Sequence, residues 1–156
     1  MDFPQYITHE KLQQFIRQAF LEDVGDGDHS TLASVPYDAI QEAELKVKDS
    51  GIIAGIELAK IIFATFDPSL TVTTYKNDGD KVQFGDIAFK IKGSSQSILT
   101  CERLALNCMQ RMSGIATYAH EMMELVKGTN AKILDTRKTT PNFRMLEKWA
   151  VKIGGA

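Results

Sequence analysis

Residues 97–127 carry one uninterrupted apolar stripe, and this segment constrains the fold more than any other. Its apolar positions are spaced alternately by three and four residues: Ile98, Cys101, Ala105, Cys108, Met112, Ile115, Ala119, Met122 and Val126. This spacing predicts a long helix with one buried face. Because Ser113 and Gly114 lower helix propensity near its middle, we expect a kinked helix or two helices meeting at Gly114. Lys127 and Gly128 should end it.

The part of the chain before this stripe predicts an α+β unit. Two segments show the apolar spacing of helices, residues 12–20 and residues 58–66, and Thr8 is the expected N-cap of the first. Three segments show the apolar and polar alternation of strands: residues 45–48, 70–75 and 82–91. We expect these strands to form a small antiparallel sheet.

Residues 129–156 predict the beginning of a second unit. A short buried strand is expected at residues 133–134, and Thr140 with Pro141 should start a helix. The buried face of that helix should contain Leu146, Trp149, Ala150 and Ile153. One strand and one helix would leave Trp149 and Ile153 exposed, so we expect residues 1–156 to be the first part of a longer protein.

Composition and charge narrow the range of functions. Hydrophobic residues make up 44% of the chain and charged residues 24%, as in globular proteins, and no apolar run reaches the length of a membrane span. With no secretory signal visible, we expect a cytoplasmic protein in which Cys101 and Cys108 are buried, reduced thiols. The net charge of −2 argues against nucleic-acid and membrane-surface binding.

A local anion site is suggested by the basic C-terminal segment. Residues 129–156 hold six basic and two acidic side chains, among them the string Asp135-Thr136-Arg137-Lys138-Thr139-Thr140-Pro141. Guanidinium and ammonium groups bind carboxylates and phosphates. On this string alone, a solvated basic loop remains the simpler interpretation. The aspartate-rich residues 22–28 lack the register of an EF-hand, and no metal site is predicted.

Five motifs lie in a fixed order along residues 22–155. They are Glu22-Asp23-x-Gly25-x-Gly27-Asp28; Asp78-Gly79-Asp80-x-Val82-x-x-Gly85; Glu102-Arg103-x-Ala105-Leu106-Asn107; Gln110-Arg111-x-Ser113-Gly114-Ile115-Ala116-Thr117; and Leu134 to Pro141 followed by Arg144, Leu146-Glu147-Lys148 and Ala150-Val151-Lys152-x-Gly154-Gly155. Together they resemble the nicotinate-nucleotide pyrophosphorylases, which are also called quinolinate phosphoribosyltransferases (carboxylating). Asn142 departs from the family, in which glycine is common at this place.

The resemblance implies a pentosyltransferase of NAD biosynthesis. Such an enzyme joins quinolinate to phosphoribosyl pyrophosphate and releases pyrophosphate and carbon dioxide to give nicotinate mononucleotide. Residues 1–112 would form an α+β sandwich domain of barrel-sandwich type with a linker helix, and residues 113–156 the first βα unit of an α/β barrel. The resemblance also implies a homodimer or higher homo-oligomer with shared active sites, and Mg²⁺ bound with phosphoribosyl pyrophosphate by ligands outside this chain.

Four residues are predicted from the resemblance to bind substrate. Arg103 corresponds to the arginine that reaches into the neighbouring subunit and meets a quinolinate carboxylate. Thr136, Arg137 and Lys138 match the substrate-contacting stretch after the first barrel strand. No covalent nucleophile is assigned, and residues 1–156 alone are expected to be inactive.

Three alternatives stay open at this point. Paralogous enzymes of the same fold include nicotinate phosphoribosyltransferase and the molybdenum-transport-associated homologue. Residues 78–93 also resemble the half-motif of biotinyl and lipoyl carrier domains, although the lysine tripeptide of a carrier is missing. A non-catalytic coiled-coil protein could be built on residues 97–127.

Overall fold

The computed structural model describes residues 3–156, and this part of the chain forms five helices and five strands. The helices are α1 (His9–Asp23), α2 (His29–Ser34), α3 (Ile56–Phe66), α4 (Ser95–Val126) and α5 (Arg144–Ile153). The strands are β1 (Ile40–Lys46), β2 (Gly51–Ile52), β3 (Thr71–Thr74), β4 (Lys81–Val82) and β5 (Ile87–Ser94). No helix within residues 3–156 has both the length and the apolar character that crossing a bilayer requires.

The predicted antiparallel sheet is confirmed. Strand β5 lies between β1 and β3 and is antiparallel to both, while β2 and β4 form a separate antiparallel pair. The buried Ile91 of β5 lies opposite Ala43 of β1 and Val72 of β3. Strand β1 begins earlier than predicted because its polar half also pairs with β5, where Lys90 forms ion pairs with Glu42 and Glu44.

Helix α4 is continuous, so the expectation of two helices meeting at Gly114 is wrong. Two hydroxyl groups in the middle of the helix accept hydrogen bonds from the chain around β2: Ser113 Oγ from the Ala54 amide and Thr117 Oγ1 from the Ile52 amide, both at 2.9 Å. These contacts hold the helix where glycine costs it about 1 kcal/mol of intrinsic propensity. The predicted end is confirmed, with Lys127 as C-cap and Gly128 at a φ of 82°.

The apolar stripe of α4 forms part of the core of the described chain and is not a coiled-coil surface. Helix α4 packs against both α3 and α5. Cys101, Cys108 and Met112 are fully buried within it. Burial raises the pKa of both cysteines to about 12, which keeps them protonated and matches the prediction of buried, reduced thiols.

The start of α1 is capped by a neighbouring residue, and the start of α3 is capped by a side chain that is distant in the sequence. Thr8 accepts a hydrogen bond from the Lys11 amide at 3.3 Å, which confirms the predicted N-cap of α1. Helix α3 begins after Gly55, which has no side chain to cap it, and the carboxylate of Asp78 accepts instead from the Ile56 amide at 2.8 Å. The Asp78-Gly79-Asp80 motif therefore fixes the start of α3.

Two predictions for residues 133–141 are wrong. Residues 133–134 form no strand, and the side chain of Leu134 is 86% exposed. A strand needs a hydrogen-bonding neighbour, and no strand of residues 3–156 pairs with this segment. Helix α5 begins at Arg144 and not at Thr140 and Pro141, because Asn142 has a φ of 63° that interrupts helical geometry.

The residues on the buried face of α5 are largely as predicted, but Trp149 has a packing partner that was not predicted. Leu146 and Ala150 are fully buried against α4, and Ile153 is partly buried. Trp149 is only 5% exposed and packs edge-on against Phe3, with 5.3 Å between the ring centroids. The prediction that Trp149 lacks packing partners is therefore wrong, because the N-terminal segment covers it.

Candidate functional site

Residues 135–140, here called the basic loop, form a compact turn between α4 and α5. Thr136 Oγ1 accepts from the Lys138 amide at 3.1 Å, and the Arg137 carbonyl accepts from the Thr139 amide at 3.0 Å. Arg144, at the start of α5, donates to Thr139 Oγ1 at 2.9 Å and to the Arg137 carbonyl at 3.3 Å. The loop therefore has a defined shape although it lies on the surface.

The two cations predicted to bind substrate have no acidic partner in the part of the chain that the structure describes. The ion pairs within residues 3–156 include neither Arg137 nor Lys138, and both residues are exposed. Lys148, by contrast, pairs with Asp135 at 2.5 Å. Two adjacent cations without internal partners are free to bind an anion from solution.

A cavity of about 470 Å³ lies beneath the basic loop. Its polar side contains Asp135, Thr136, Thr139, Glu147 and Lys148. Its apolar side is formed by Ile115, Tyr118, Met122, Ile133 and Val151. Thr136 is therefore the one predicted site residue that lines this cavity, while the side chains of Arg137 and Lys138 lie outside it.

A buried carboxylate joins the basic loop to both neighbouring helices. Glu147 of α5 accepts from Arg111 Nε of α4 at 2.8 Å and from the Thr140 amide at 3.4 Å. Burial acts to raise the pKa of Glu147, but hydrogen bonds from Arg111 and Thr140 outweigh it, so the pKa lies below its ordinary value. Glu147 is therefore charged at neutral pH.

Arg103 lies in a second polar cluster on α4. Its Nε contacts the Asp23 carboxylate at 3.2 Å and its Nη1 contacts the Asp28 carboxylate at 3.1 Å, while its side chain stays 45% exposed. Asp28 also caps α2 through the Thr31 amide, and this bond, together with Arg103, lowers the pKa of Asp28. The acidic residues 22–28 thus hold the guanidinium of Arg103 at the surface.

The described chain does not bring all four predicted residues together. Thr136, Arg137 and Lys138 share the basic loop, whereas Arg103 is bonded to Asp23 and Asp28. Arg103 precedes Arg111 by two turns of α4, a rise of about 12 Å. The structure therefore contains two polar clusters, one at each of these arginines.

Two family models together match most of the described chain. The N-terminal domain of quinolinate phosphoribosyl transferase matches residues 28–113, and its C-terminal domain matches residues 115–156. The chain belongs to the quinolinate phosphoribosyltransferase family. This confirms the resemblance that the five motifs indicate, and it argues against the carrier-domain and coiled-coil alternatives.

Relatives in plants and bacteria share the similarity over nearly the full chain. A mitochondrial quinolinate phosphoribosyltransferase (decarboxylating) of Nicotiana tabacum is 47% identical over 153 residues, which cover 97% of this chain and 43% of that protein. A probable nicotinate-nucleotide pyrophosphorylase (carboxylating) of Bacillus subtilis is 40% identical over 149 residues, 96% of this chain and 51% of that protein. The chain thus spans about half the length of these quinolinate phosphoribosyltransferase relatives.

Solved structures share the fold of this chain. The NadC crystal structure from Streptococcus pyogenes is 37% identical, with a TM-score of 0.92 over 98% of this chain and 54% of that one. Human nicotinic acid phosphoribosyltransferase is 15% identical with a TM-score of 0.62 over 92% of this chain and 34% of that one. At that identity the second likeness concerns the fold alone.

Four residues that organise the two clusters were not predicted as site residues. Asp23 and Asp28 hold Arg103, and Arg111 and Glu147 hold the end of the basic loop. All four belong to the quoted motifs. Their partners could not be read from the sequence because each pair is separated by tens of residues.

Proposed function

We propose that the whole protein to which this chain belongs transfers the phosphoribosyl group of phosphoribosyl pyrophosphate to quinolinate. The products are nicotinate mononucleotide, pyrophosphate and carbon dioxide. The observation that carries the proposal is a pair of exposed cations, Arg137 and Lys138, that form no ion pair within residues 3–156 and lie in the ordered turn of the quinolinate phosphoribosyltransferase motif. Both substrates are polyanions, and Arg and Lys are the side chains that bind them.

In this reaction the protein has to orient the two reactants and stabilise the negative charge that develops. The pyridine nitrogen forms a bond to the ribose C1, and pyrophosphate leaves with the electrons of the broken C–O bond. The neighbouring carboxylate then leaves as carbon dioxide, and the electrons that remain on the ring carbon take up a proton. Thr136, Arg137 and Lys138 would hold the anionic groups, which orients the reactants and offsets negative charge.

Mg²⁺ belongs to the proposal as a companion of phosphoribosyl pyrophosphate. Among residues 3–156 no three His, Cys, Asp or Glu side chains converge in a way that could hold a metal ion. The proposal therefore names no residue of this stretch as a Mg²⁺ ligand.

The proposed assembly is a homodimer or higher homo-oligomer with shared active sites. Arg103 supports this assembly, since its side chain is 45% exposed and its guanidinium pairs with Asp23 and Asp28 and not with the basic loop of the same chain.

In the proposed division, residues 1–112 form the sandwich domain and residues 113–156 begin the barrel domain. We place the protein in the cytoplasm, although names of plant relatives specify mitochondria or chloroplasts.

A subunit-complementation experiment tests the role of Arg103. We expect Arg103→Ala and the double change Arg137→Ala with Lys138→Ala each to inactivate the whole protein. Mixing the two with verified subunit exchange should restore about a quarter of the active sites, because half of the dimers then contain one intact shared site. Arg17→Ala, on the exposed side of α1, is the matched control. No restored activity would place Arg103 outside the neighbour's site.

A further inference from the structure

The carboxylate of Glu147 is a meeting point of three segments. Its side chain is only 10% exposed. Its Oε1 accepts from Arg111 Nε at 2.8 Å, from Arg111 Nη2 at 2.5 Å and from the Thr140 amide at 3.4 Å. Arg111 Nη2 also contacts Thr140 Oγ1. A single charged group thus links α4, α5 and the end of the basic loop.

Burial of this carboxylate is tolerated only because Arg111 is held beside it. A buried charge without a partner is costly, whereas a charged hydrogen bond to guanidinium compensates it. The guanidinium carbon of Arg111 lies 5.6 Å from the ring centre of Phe143, and that ring packs against Phe15. Arg111 is therefore fixed on two sides, by an anion and by an aromatic face.

The basic loop is consequently held at both ends. Asp135 at its start pairs with Lys148, and Thr140 at its end bonds to Glu147 and Arg111. Arg137 and Lys138 lie between these two attachments and have no acidic partner of their own within residues 3–156. The position of the two cations thus depends on the two attachments.

We propose that Glu147 is a positioning residue that acts through Arg111 and Thr140 to fix the basic loop for substrate binding. This inference rests on the proposed function, because it assigns the binding of an anionic substrate to that loop. Glu147 itself touches no reacting group. A loop that is ordered before binding loses less conformational freedom when the substrate arrives, so its attachment lowers KM.

The test compares Glu147→Gln with Glu121→Gln in the whole protein. Glutamine keeps the shape of the side chain and removes its charge, and Glu121 is an exposed glutamate of α4. We expect Glu147→Gln to raise the KM for quinolinate about tenfold with kcat within threefold, as expected for lost pre-organisation. Glu121→Gln should leave both constants unchanged. A lower unfolding midpoint with an unchanged KM would overturn the proposal.

Amide hydrogen exchange separates this inference from the proposed function. We expect exchange at residues 136–140 to become faster in Glu147→Gln and to stay unchanged in Glu121→Gln. If the unaltered protein makes no product from quinolinate, the proposed function fails, and the exchange result still decides whether Glu147 orders the loop. Equal exchange in the two variants and the unaltered protein would overturn the positioning role.

Discussion

Replacing Arg137 and Lys138 together by alanine is expected to lower kcat/KM for quinolinate by about 10²-fold to 10⁴-fold, because each charged hydrogen bond contributes about 1.5–3 kcal/mol. The fold should be unaffected, since neither side chain forms an ion pair within residues 3–156 and both are exposed. The loss would therefore appear in steady-state kinetics and not in the unfolding midpoint.

Lys132→Ala is the matched control for this pair. Lys132 is an exposed lysine of the same connection between α4 and α5, and it lies outside the basic loop. We expect its kcat/KM to stay within about twofold, since surface charges at a distance are screened by salt. An unchanged kcat/KM in the Arg137→Ala and Lys138→Ala variant would show that the basic loop does not bind the substrate.

Gly154→Ala is expected to lower the free energy of unfolding by about 1–3 kcal/mol, the usual cost of overpacking. A Cβ atom at this position would lie 2.4 Å from the carbonyl oxygen of Ala116 and 2.7 Å from the Cβ of Ala119. Gly154 has an ordinary φ of −70°, so the restriction is space and not backbone conformation. The C-terminal end of α5 would have to move away from α4.

Gly114→Ala in α4 is expected to have the opposite effect and to stabilise the protein. A Cβ at Gly114 would meet no atom within 4 Å, and the residue lies in the middle of α4. Alanine should therefore raise the free energy of unfolding by about 0.5–1 kcal/mol. Denaturant unfolding of both variants measures the contrast. A Gly154→Ala protein as stable as the unaltered one would contradict the close packing of α5 on α4.

The spacing of apolar residues correctly predicted the helices and strands whose buried face can be recognised within one segment of the sequence. The helices α1 and α3 and the antiparallel strands follow the apolar spacing, and Thr8 caps α1 as expected. The stripe of α4 is buried at Ile98, Ala105 and Met112. In each case local spacing and tertiary packing favour the same structure, so local reasoning is sufficient.

The start of α5 was wrong for a local reason, the φ of 63° at Asn142, while the other wrong predictions concern contacts between distant segments. Helix α4 continues through Gly114 because Ser113 is bonded to Ala54, and Trp149 is buried because Phe3 covers it. The two residues of each pair are far apart in the sequence, so no local sequence pattern predicts either contact. The strand at residues 133–134 failed for a related reason, since strand formation depends on a hydrogen-bonding partner elsewhere.

The sequence likewise predicted one part of the candidate site, the residues expected to bind substrate, and missed the residues that hold them in place. Arg103, Thr136, Arg137 and Lys138 were singled out by a resemblance, and their residue types suit anionic substrates. The groups that hold them were not assigned, because Glu147 and Arg111 are 36 residues apart and Arg103 and Asp23 are 80 apart. Spatial proximity of such pairs becomes visible only in the folded chain.

The most direct test of the central claim is product formation by the whole purified protein. With quinolinate and phosphoribosyl pyrophosphate, the account predicts nicotinate mononucleotide, with equal amounts of pyrophosphate and carbon dioxide released. Replacing quinolinate by nicotinate should abolish turnover, which separates this activity from that of a nicotinate phosphoribosyltransferase. Turnover of nicotinate without release of carbon dioxide, or no turnover of quinolinate by the folded protein, would contradict the account.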